Sequence, residues 1–264
     1  DAVLAECVAA SVCAVQKGAV AESQRADLVK FFASLLAKFR ANNFGVLSDL
    51  QNCIGSAVYQ VGAILNHSCA PNCVLVYGDS TNDHEEQVQK IVVIEDVKEG
   101  SELCHSYVEL CQPTAARRSH LLSNYGFECS CPKCEVEQLS GEERFEKVKK
   151  EITEVVKNKI DNSLAEAEEM MYSDGEDTTP EEYRLINEAL ALQREYLDPL
   201  NLSRYKTEAL ALGHAMLLGN VPASAEHARK VCEFLEAALP PLHPLVVLQA
   251  MTLAELLQEM GSNR

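Results

Sequence analysis

Apolar residues recur at helical intervals near the start of the chain. The spacing between Leu28 and Phe39 follows a period of three to four residues and predicts a helix there. A second apolar stretch, at residues 54–65, predicts another helix that leads into a polar segment rich in Asn, His, Ser and Cys. This part of the chain is therefore expected to be helical before the first strand signals appear.

Short β-branched runs follow and predict strands. Residues 74–77 and 91–94 are rich in Val and Ile, and the polar stretch 78–90 between them is expected to form a hairpin loop. A turn at 97–100 precedes a third predicted strand at 102–107. Together with the preceding helices, these runs predict an α+β fold class for this part of the chain.

The apolar period becomes helical again after residue 140. Ser140 to Glu143 has the pattern of a capping box, and the apolar positions from Phe145 to Ala167 predict one long amphipathic helix. Pro and Gly residues then separate four further predicted helices, at 181–197, 203–218, 223–238 and 245–260. Paired helices with short connections are typical of tetratricopeptide-like repeats. The pattern thus predicts an all-α part that begins near residues 135–141.

The net charge of −17 is unevenly distributed. Up to Cys134 there are 15 acidic and 10 basic residues, whereas the remainder holds 25 and 13, which gives −5 and −12. Such a balance excludes direct nucleic-acid binding, and the acidic part is expected either to be a solvated surface or to attract lysine-rich protein tails. No apolar run is long enough to span a bilayer, and the start lacks the basic region of a signal peptide.

Three of the eleven cysteines are closely spaced. Cys129, Cys131 and Cys134 form a Cys-x-Cys-x-x-Cys pattern that allows three thiolates to bind one metal ion and that is awkward for disulfide pairing. Tetrahedral zinc requires a fourth ligand, which either Cys69 or Cys73 can supply. The other cysteines show no clustering and are expected to be reduced, mostly buried side chains in a reducing compartment.

A polar motif at residues 66–72, Asn-His-Ser-Cys-Ala-Pro-Asn, contains the strongest candidate chemistry. Taken alone, it fits a Cys/His nucleophilic pair or a turn rich in hydrogen-bonding side chains. A cysteine protease is disfavoured because no glycine-rich nucleophile turn accompanies Cys69 or Cys73. Downstream, residues 100–107 read Gly-Ser-Glu-Leu-Cys-His-Ser-Tyr, and residues 127–134 read Phe-Glu-Cys-Ser-Cys-Pro-Lys-Cys.

These three motifs, in this order, resemble the signature of SET-domain protein lysine methyltransferases with a post-SET zinc site. The Tyr-Gly-Phe-Glu-Cys sequence at 125–129 and the helical tail resemble the SET-and-MYND (SMYD) family in particular. The resemblance implies small β-sheets with a helical insert at 1–110, a post-SET segment at 111–138 and a tetratricopeptide-like domain at 139–264. The Gly-x-Gly-like turn and the MYND module of a complete member are not found, so the N-terminal part is expected to be missing.

The resemblance implies a binding site for S-adenosyl-L-methionine. Asn66 and His67 resemble the pair that holds this cofactor, the first through its amide and the second largely through its backbone. Phe127 resembles the aromatic residue that stacks on adenine, and Asn42 matches a further cofactor contact. Tyr107 resembles the catalytic tyrosine, whose hydroxyl contacts the cofactor's methyl group and helps to align the lysine amine.

The family pattern also implies a lysine channel and a structural zinc ion. Phe44, Tyr77 and Tyr125 match channel positions, where desolvation by aromatic walls favours the neutral, nucleophilic amine. In related proteins the fourth ligand is the cysteine directly after Asn-His-Ser, so the resemblance favours Cys69 over Cys73. The implied zinc ligands are Cys69, Cys129, Cys131 and Cys134.

The expected function is methyl transfer from S-adenosyl-L-methionine to a lysine of a histone or another protein. The alternative is a catalytically weak scaffold whose helical part binds tails of partner proteins. The presence of Asn66, His67, Tyr107 and Phe127 favours the enzyme, because a scaffold does not need all four. The protein is expected to be monomeric and to reside in the cytoplasm, the nucleus or both.

Overall fold

The computed structural model describes residues 22–79, 87–140, 144–172 and 178–262. Within these ranges no helix is long and apolar enough to cross a membrane. One compact unit comprises the described residues up to Asn66 together with Leu75–Ile91, and a second comprises His67–Val74 and the residues from Val92 onward. Small sheets are followed by a mainly helical C-terminal region, so the predicted α+β class is confirmed.

The first unit begins with helix α1, Glu22–Asn42, which confirms the helix predicted around Leu28 to Phe39. The apolar stripe that predicted this helix is only partly covered within the described structure. Phe31, Leu35 and Phe39 are 60%, 51% and 43% exposed. The described residues therefore leave much of this apolar face exposed.

Two strands follow, β1 (Asn43–Leu47) and β2 (Cys53–Val58), and they pair antiparallel. The helix predicted at 54–65 is wrong, because most of this stretch forms β2 and a short 3₁₀ turn at Gly62–Ile64. Pairing with β1 supplies backbone hydrogen bonds that a short apolar run can use as well in a strand as in a helix. The tight connection requires a positive φ of 62° at Gln51.

Two further two-stranded sheets carry the polar motifs. Strand β3 (Asn66–His67) pairs with β6 (Cys104–His105), and β4 (Cys73–Asp79) pairs with β5 (Gln87–Val93). The strand pair predicted from residues 74–77 and 91–94 is thus confirmed. The third predicted strand, 102–107, is shorter than expected and consists of β6 alone, so Tyr107 lies just beyond its end.

Two short helices, α2 (Thr114–Tyr125) and α3 (Pro132–Ser140), were not predicted from the apolar pattern. Helix α2 ends at Gly126, whose φ of 76° places it in the left-handed region, and its N–H donates to the carbonyl of Leu122. Glycine adopts this conformation without steric cost, which explains why the chain turns sharply between Tyr125 and Phe127.

The long helix predicted from Phe145 to Ala167 is wrong at its start. Helix α4 spans Glu154–Met171, and the side chain of Thr153 caps it by accepting from the backbone N–H of Val156. The preceding segment is not helical: it consists of turns and bends in which Val148 forms an isolated β-bridge with Leu197, and Phe145 is only 2% exposed. Ser140 is the last residue of α3, and the rest of the predicted capping box lies outside the described residues.

The four helices predicted after residue 180 are confirmed as α5 (Thr179–Tyr196), α6 (Leu202–Leu217), α7 (Val221–Ala238) and α8 (Pro244–Ser262). From α4 onward each helix packs against the next, as short connections between antiparallel neighbours require. Their core includes Phe145, which lies 5.2 Å from Phe234 between ring centroids. The same buried cluster continues to Cys69 and Cys134, so the thiols and the helices share one interior.

Candidate active site and thiol cluster

Tyr107 lies at the centre of an aromatic cluster in the second unit. Its ring centroid is 4.9 Å from that of Tyr125, 6.4 Å from Phe127 and 5.3 Å from His67. His105 adds a fourth neighbour at 4.9 Å. The structure thus brings together four residues that the sequence had singled out, His67, Tyr107, Tyr125 and Phe127, although they come from three separate segments.

Local structure explains this convergence. His67 lies on β3 and Tyr107 follows β6, so the pairing of these two strands brings both residues to one place. The backbone N–H of Ser68 donates to the carbonyl of His105 at 3.0 Å. The left-handed turn at Gly126 places Tyr125 and Phe127 on either side of it, so both rings reach Tyr107.

Asn72 holds the chain segment that leads to this cluster, and no role was predicted for this residue from the sequence. Its amide nitrogen donates to the carbonyl of Glu102 at 2.9 Å, and its amide oxygen accepts from the backbone N–H of Cys104 at 2.8 Å. Its own carbonyl accepts from the backbone N–H of Ile94 at 2.9 Å. The motif at 66–72 contains this asparagine, so the signal was present, but only the tertiary structure reveals its partners.

The cluster is partly shielded from water, and this affects its titratable groups. Burial raises the pKa of Tyr107, with smaller contributions from Tyr125 and Cys104, and burial also raises the pKa of Tyr125. Both hydroxyls are therefore protonated at neutral pH. Burial lowers the pKa of His67 to about 4, so its ring is neutral in the same range.

Four thiols lie next to the aromatic cluster and form a compact group. The sulfur atoms of Cys69, Cys129, Cys131 and Cys134 all lie within 4.8 Å of one another, and those of Cys69 and Cys129 are 4.0 Å apart. A tetrahedral zinc–thiolate site with bonds of about 2.3 Å requires sulfur atoms about 3.8 Å apart. The donor set and its spacing therefore fit a zinc ion bound by four cysteines.

Cys73, the alternative fourth ligand, is not part of this group. It lies at the start of β4, where it is completely buried, and its thiol is outside the four that converge. Burial raises the pKa of the Cys73 thiol. The described cysteines form no disulfide.

A buried arginine accompanies the thiols, and sequence reasoning had not identified it. Arg117 on α2 is 1% exposed, and its Nη2 atom lies 3.9 Å from the Sγ of Cys134 and 2.7 Å from Glu137. Burial opposes the charge on Arg117, but hydrogen bonds to Glu137 and to Cys69 outweigh burial and raise the arginine pKa. A single arginine on an unpredicted helix carries no motif, which explains why it was missed.

The thiols also perturb one another. Hydrogen bonds from Cys134 and Cys69 hold the pKa of Cys131 far below its usual range. A hydrogen bond to Cys131 correspondingly raises the pKa of Cys69. The thiolate is the form of cysteine that binds zinc.

The remaining predicted residues lie in the first unit. The side-chain amide of Asn42 donates to the carbonyl of Lys38 within α1, and Asn66 is exposed on β3. Phe44 and Tyr77 both pack against a third ring, Tyr59, with centroid distances of 6.2 and 5.7 Å. The hydroxyl of Tyr77 accepts from the side chain of Gln89, and burial raises the tyrosine pKa. Tyr59 was not predicted, because it lies in the stretch assigned to a helix.

Residues 9–108 match the family model of the SET domain. The chain is 35% identical over 108 residues to a SET and MYND domain-containing protein of Dictyostelium discoideum, covering 41% of this chain and 24% of the relative. It is 35% identical over 112 residues to histone-lysine N-methyltransferase ASHR2 of Arabidopsis thaliana, covering 40% and 28%. It is 31% identical over 147 residues to protein-lysine N-trimethyltransferase SMYD5 of Gallus gallus, covering 50% and 33%. The matches thus span a third or less of these relatives' lengths.

Proposed function

We propose that this chain, a SET-domain protein of the SET-and-MYND family, is part of an S-adenosylmethionine-dependent protein-lysine N-methyltransferase. The observation that carries the proposal is the position of Tyr107, surrounded by Tyr125, Phe127 and His67 beside four converging thiols. Relatives named as lysine methyltransferases support the same reaction class. The substrate is a lysine side chain of another protein.

Tyr107 is proposed to act at the reacting atoms. S-adenosylmethionine supplies an activated methyl group, so the protein must orient the lysine amine, exclude water and favour its neutral form. The raised pKa of Tyr107 keeps its side chain a neutral phenol. A neutral phenol oxygen accepts weak C–H contacts from the methyl group and, unlike a phenolate, does not attack it as a nucleophile. The surrounding rings desolvate an incoming ammonium group and thereby lower its pKa.

Phe127 is proposed to stack on the adenine ring and Asn66 and His67 to hold the cofactor, His67 through its backbone. Tyr125, 4.9 Å from Tyr107, is proposed to line the lysine channel. The assignments of Asn42 to the cofactor site and of Phe44 and Tyr77 to the lysine channel remain predictions from the sequence.

A zinc ion is proposed to be bound by Cys69, Cys129, Cys131 and Cys134. Four thiolates complete a tetrahedral site and leave no position for a catalytic water, so the metal's role is structural. Phe127 lies only two positions before Cys129, so binding at the thiols restricts the ring that is proposed to stack on adenine. Metal binding and cofactor binding are therefore coupled through folding.

The domain bounds of 1–110, 111–138 and 139–264 and the tetratricopeptide-like character of the helices remain proposals. So do a monomeric state, a location in the cytoplasm or nucleus, and capture of lysine-rich tails by the acidic helical part. Of the acidic residues in the latter part, Glu166, Glu168 and Glu169 on α4 are exposed and available for such attraction.

The experiment that tests the function compares the full-length protein with its Tyr107→Phe variant. Methyl transfer to lysine-bearing proteins and peptides is measured with labelled S-adenosylmethionine, and cofactor affinity is measured by calorimetry. We expect the variant to bind the cofactor normally and to lose most methyl transfer, at least tenfold, because only the hydroxyl is removed. Transfer at the parental rate contradicts the role of Tyr107. Cofactor binding without any transfer by the parental protein favours the scaffold instead.

A further inference from the structure

Both ring nitrogens of His67 are engaged inside the protein. Nδ1 accepts a hydrogen bond from the backbone N–H of Tyr107 at 2.9 Å. Nε2 lies 3.2 Å from the Sγ of Cys69. One side chain thus joins the residue proposed to act on the methyl group to one of the four converging thiols, although the two partners are far apart in sequence.

The first of these contacts determines where the ring proton is. A backbone N–H can only donate, so Nδ1 must accept and cannot hold a proton of its own. The imidazole is therefore neutral, and its single N–H is on Nε2. Nε2 must then be the donor in the contact with sulfur, and the acceptor is the Cys69 sulfur.

A donor at this position suits a metal-bound thiolate. A thiolate bound to zinc keeps substantial negative charge, and a hydrogen bond to sulfur stabilises that charge and fixes the orientation of the ligand. Three other sulfur atoms surround Cys69, so a neutral N–H donor also reduces the repulsion within the cluster. With both nitrogens engaged, the His67 side chain has no polar atom left for the cofactor, in keeping with a cofactor contact made by its backbone.

We propose that His67 is a positioning residue that contacts the metal site and Tyr107 at once, with Nε2–H donating to the Cys69 thiolate and Nδ1 accepting from the Tyr107 backbone. The inference rests on the proposed function for its catalytic meaning but not for its geometry. Each hydrogen bond has its own role: the Nε2–H bond helps to hold the Cys69 ligand, and the Nδ1 bond helps to hold the Tyr107 backbone.

The tautomer is tested first, on the unmodified, zinc-loaded chain. Heteronuclear NMR of the histidine ring nitrogens distinguishes a protonated nitrogen from an unprotonated one. We expect His67 to carry its proton on Nε2 alone. A proton on Nδ1, or on both nitrogens, overturns the proposal, and this measurement does not depend on whether any variant folds.

Two substitutions then separate the two hydrogen bonds. An asparagine side chain places its amide near the position of Nδ1, and a glutamine side chain reaches the position of Nε2. His67→Asn should therefore retain an acceptor for the Tyr107 N–H and lose the donor to Cys69. His67→Gln should retain the donor and lose the acceptor. The exposed His120 on α2 supplies matched controls, His120→Asn and His120→Gln.

The readouts are the rate of zinc release to a chelator and the hydrogen-exchange protection of the Tyr107 amide. We expect His67→Asn to release zinc roughly 10 to 100 times faster, the usual effect of losing such a partner, with Tyr107 protected as in the parental chain. His67→Gln should release zinc at the parental rate, and the hydrogen-exchange protection of its Tyr107 amide should fall by a factor of roughly 10 to 100. The His120 variants should change neither. Equal losses of both properties in the two His67 variants overturn the separate roles of the two hydrogen bonds in favour of general packing.

These readouts need no methyl acceptor, so the two proposals fail separately. The chain could show the expected tautomer, faster zinc release only in His67→Asn and lower Tyr107 protection only in His67→Gln, yet transfer no methyl group. That result contradicts the proposed function and leaves the role of His67 in the metal site intact. A methyltransferase with the proton on Nδ1 contradicts the inference about His67 alone. In an active enzyme, His67→Gln should lower kcat at least tenfold with little change in the KM for the cofactor.

Discussion

The Nη2 atom of Arg117 lies 3.9 Å from the Sγ of Cys134, deep in the second unit, where the arginine side chain is inaccessible to solvent. Its Nη1 atom donates to the carbonyl of Gln112 at 2.5 Å, and Nη2 forms an ion pair with Glu137. Four thiolates around a divalent cation carry a net negative charge. A buried guanidinium beside them offsets that charge, and it fixes α2 and α3 at the thiol cluster.

Replacing Arg117 with Met should therefore destabilise the protein and weaken metal retention together. The expected loss is about 3–5 kcal/mol, as for removal of one partner from a buried ion pair. Denaturant unfolding and zinc content measure the two effects. Arg118→Met is the matched control, because Arg118 pairs with exposed Glu128 and should cost less than about 1 kcal/mol. Equal effects of the two substitutions contradict the assigned role of Arg117.

The choice between Cys69 and Cys73 is tested by two serine variants. Cys69→Ser should lose most of the bound zinc, whereas Cys73→Ser should retain one zinc ion per chain, because only Cys69 lies with the other three thiols. Elemental analysis of the purified, folded proteins gives the answer. Circular dichroism is the control for folding, since both cysteines are buried. Loss of zinc from the Cys73 variant alone would reverse the assignment.

Asn72 should be important for stability out of proportion to its size. Asn72→Ala leaves the N–H of Cys104 and the carbonyl of Glu102 without their side-chain partners, which should cost about 1–3 kcal/mol. Asn124→Ala is the control, because Asn124 is exposed and its amide donates to the carbonyl of His120 within the same helix, α2. Unfolding free energies of the two variants are compared. A cost below that of the Asn124 substitution contradicts a stabilising role for the two hydrogen bonds between the Asn72 side chain and the backbone of Glu102 and Cys104.

The helical region should lose stability in acid through Glu208, which is 1% exposed. Its carboxylate lies 2.8 Å from Nδ1 of His227 and accepts two hydrogen bonds from Arg194 at 2.9 Å. Burial acts to raise the pKa of Glu208, but these bonds outweigh burial and lower the pKa. A lowered folded-state pKa stabilises the protein above the unfolded-state value, and this stability is lost as pH falls through the folded-state pKa.

Glu208→Gln should thus destabilise the protein at neutral pH by roughly 1.5–3 kcal/mol and flatten the fall in stability toward acid. Unfolding measured from neutral to acidic pH tests both parts. Glu233→Gln is the control, since Glu233 forms an exposed pair with Lys230. An unchanged acid slope in the Glu208 variant would mean that other carboxylates dominate acid unfolding.

The sequence predicted elements well where their period was long and sustained. Helix α1 and helices α5 to α8 follow from apolar spacing, because their helical period is sustained over several turns. The short stretch at 54–65 did not have enough length to distinguish a strand from a helix, and pairing with β1 decided it. The segment before Thr153 is held by its bridge to Leu197 and by burial of Phe145, which local periodicity does not reveal.

The functional site, like the fold, was predicted in part from the sequence and is revealed in part only by the structure. The motifs by themselves determined which residues are candidates, Asn66, His67, Tyr107, Phe127 and the cysteines, because each motif is contiguous and keeps its spacing in any fold. Only the tertiary structure decided that Cys69 rather than Cys73 joins the other thiols, and that Arg117, Asn72 and the two nitrogens of His67 connect the parts. Those connections join residues far apart in the chain, and their distances are set by strand pairing and packing rather than by sequence spacing.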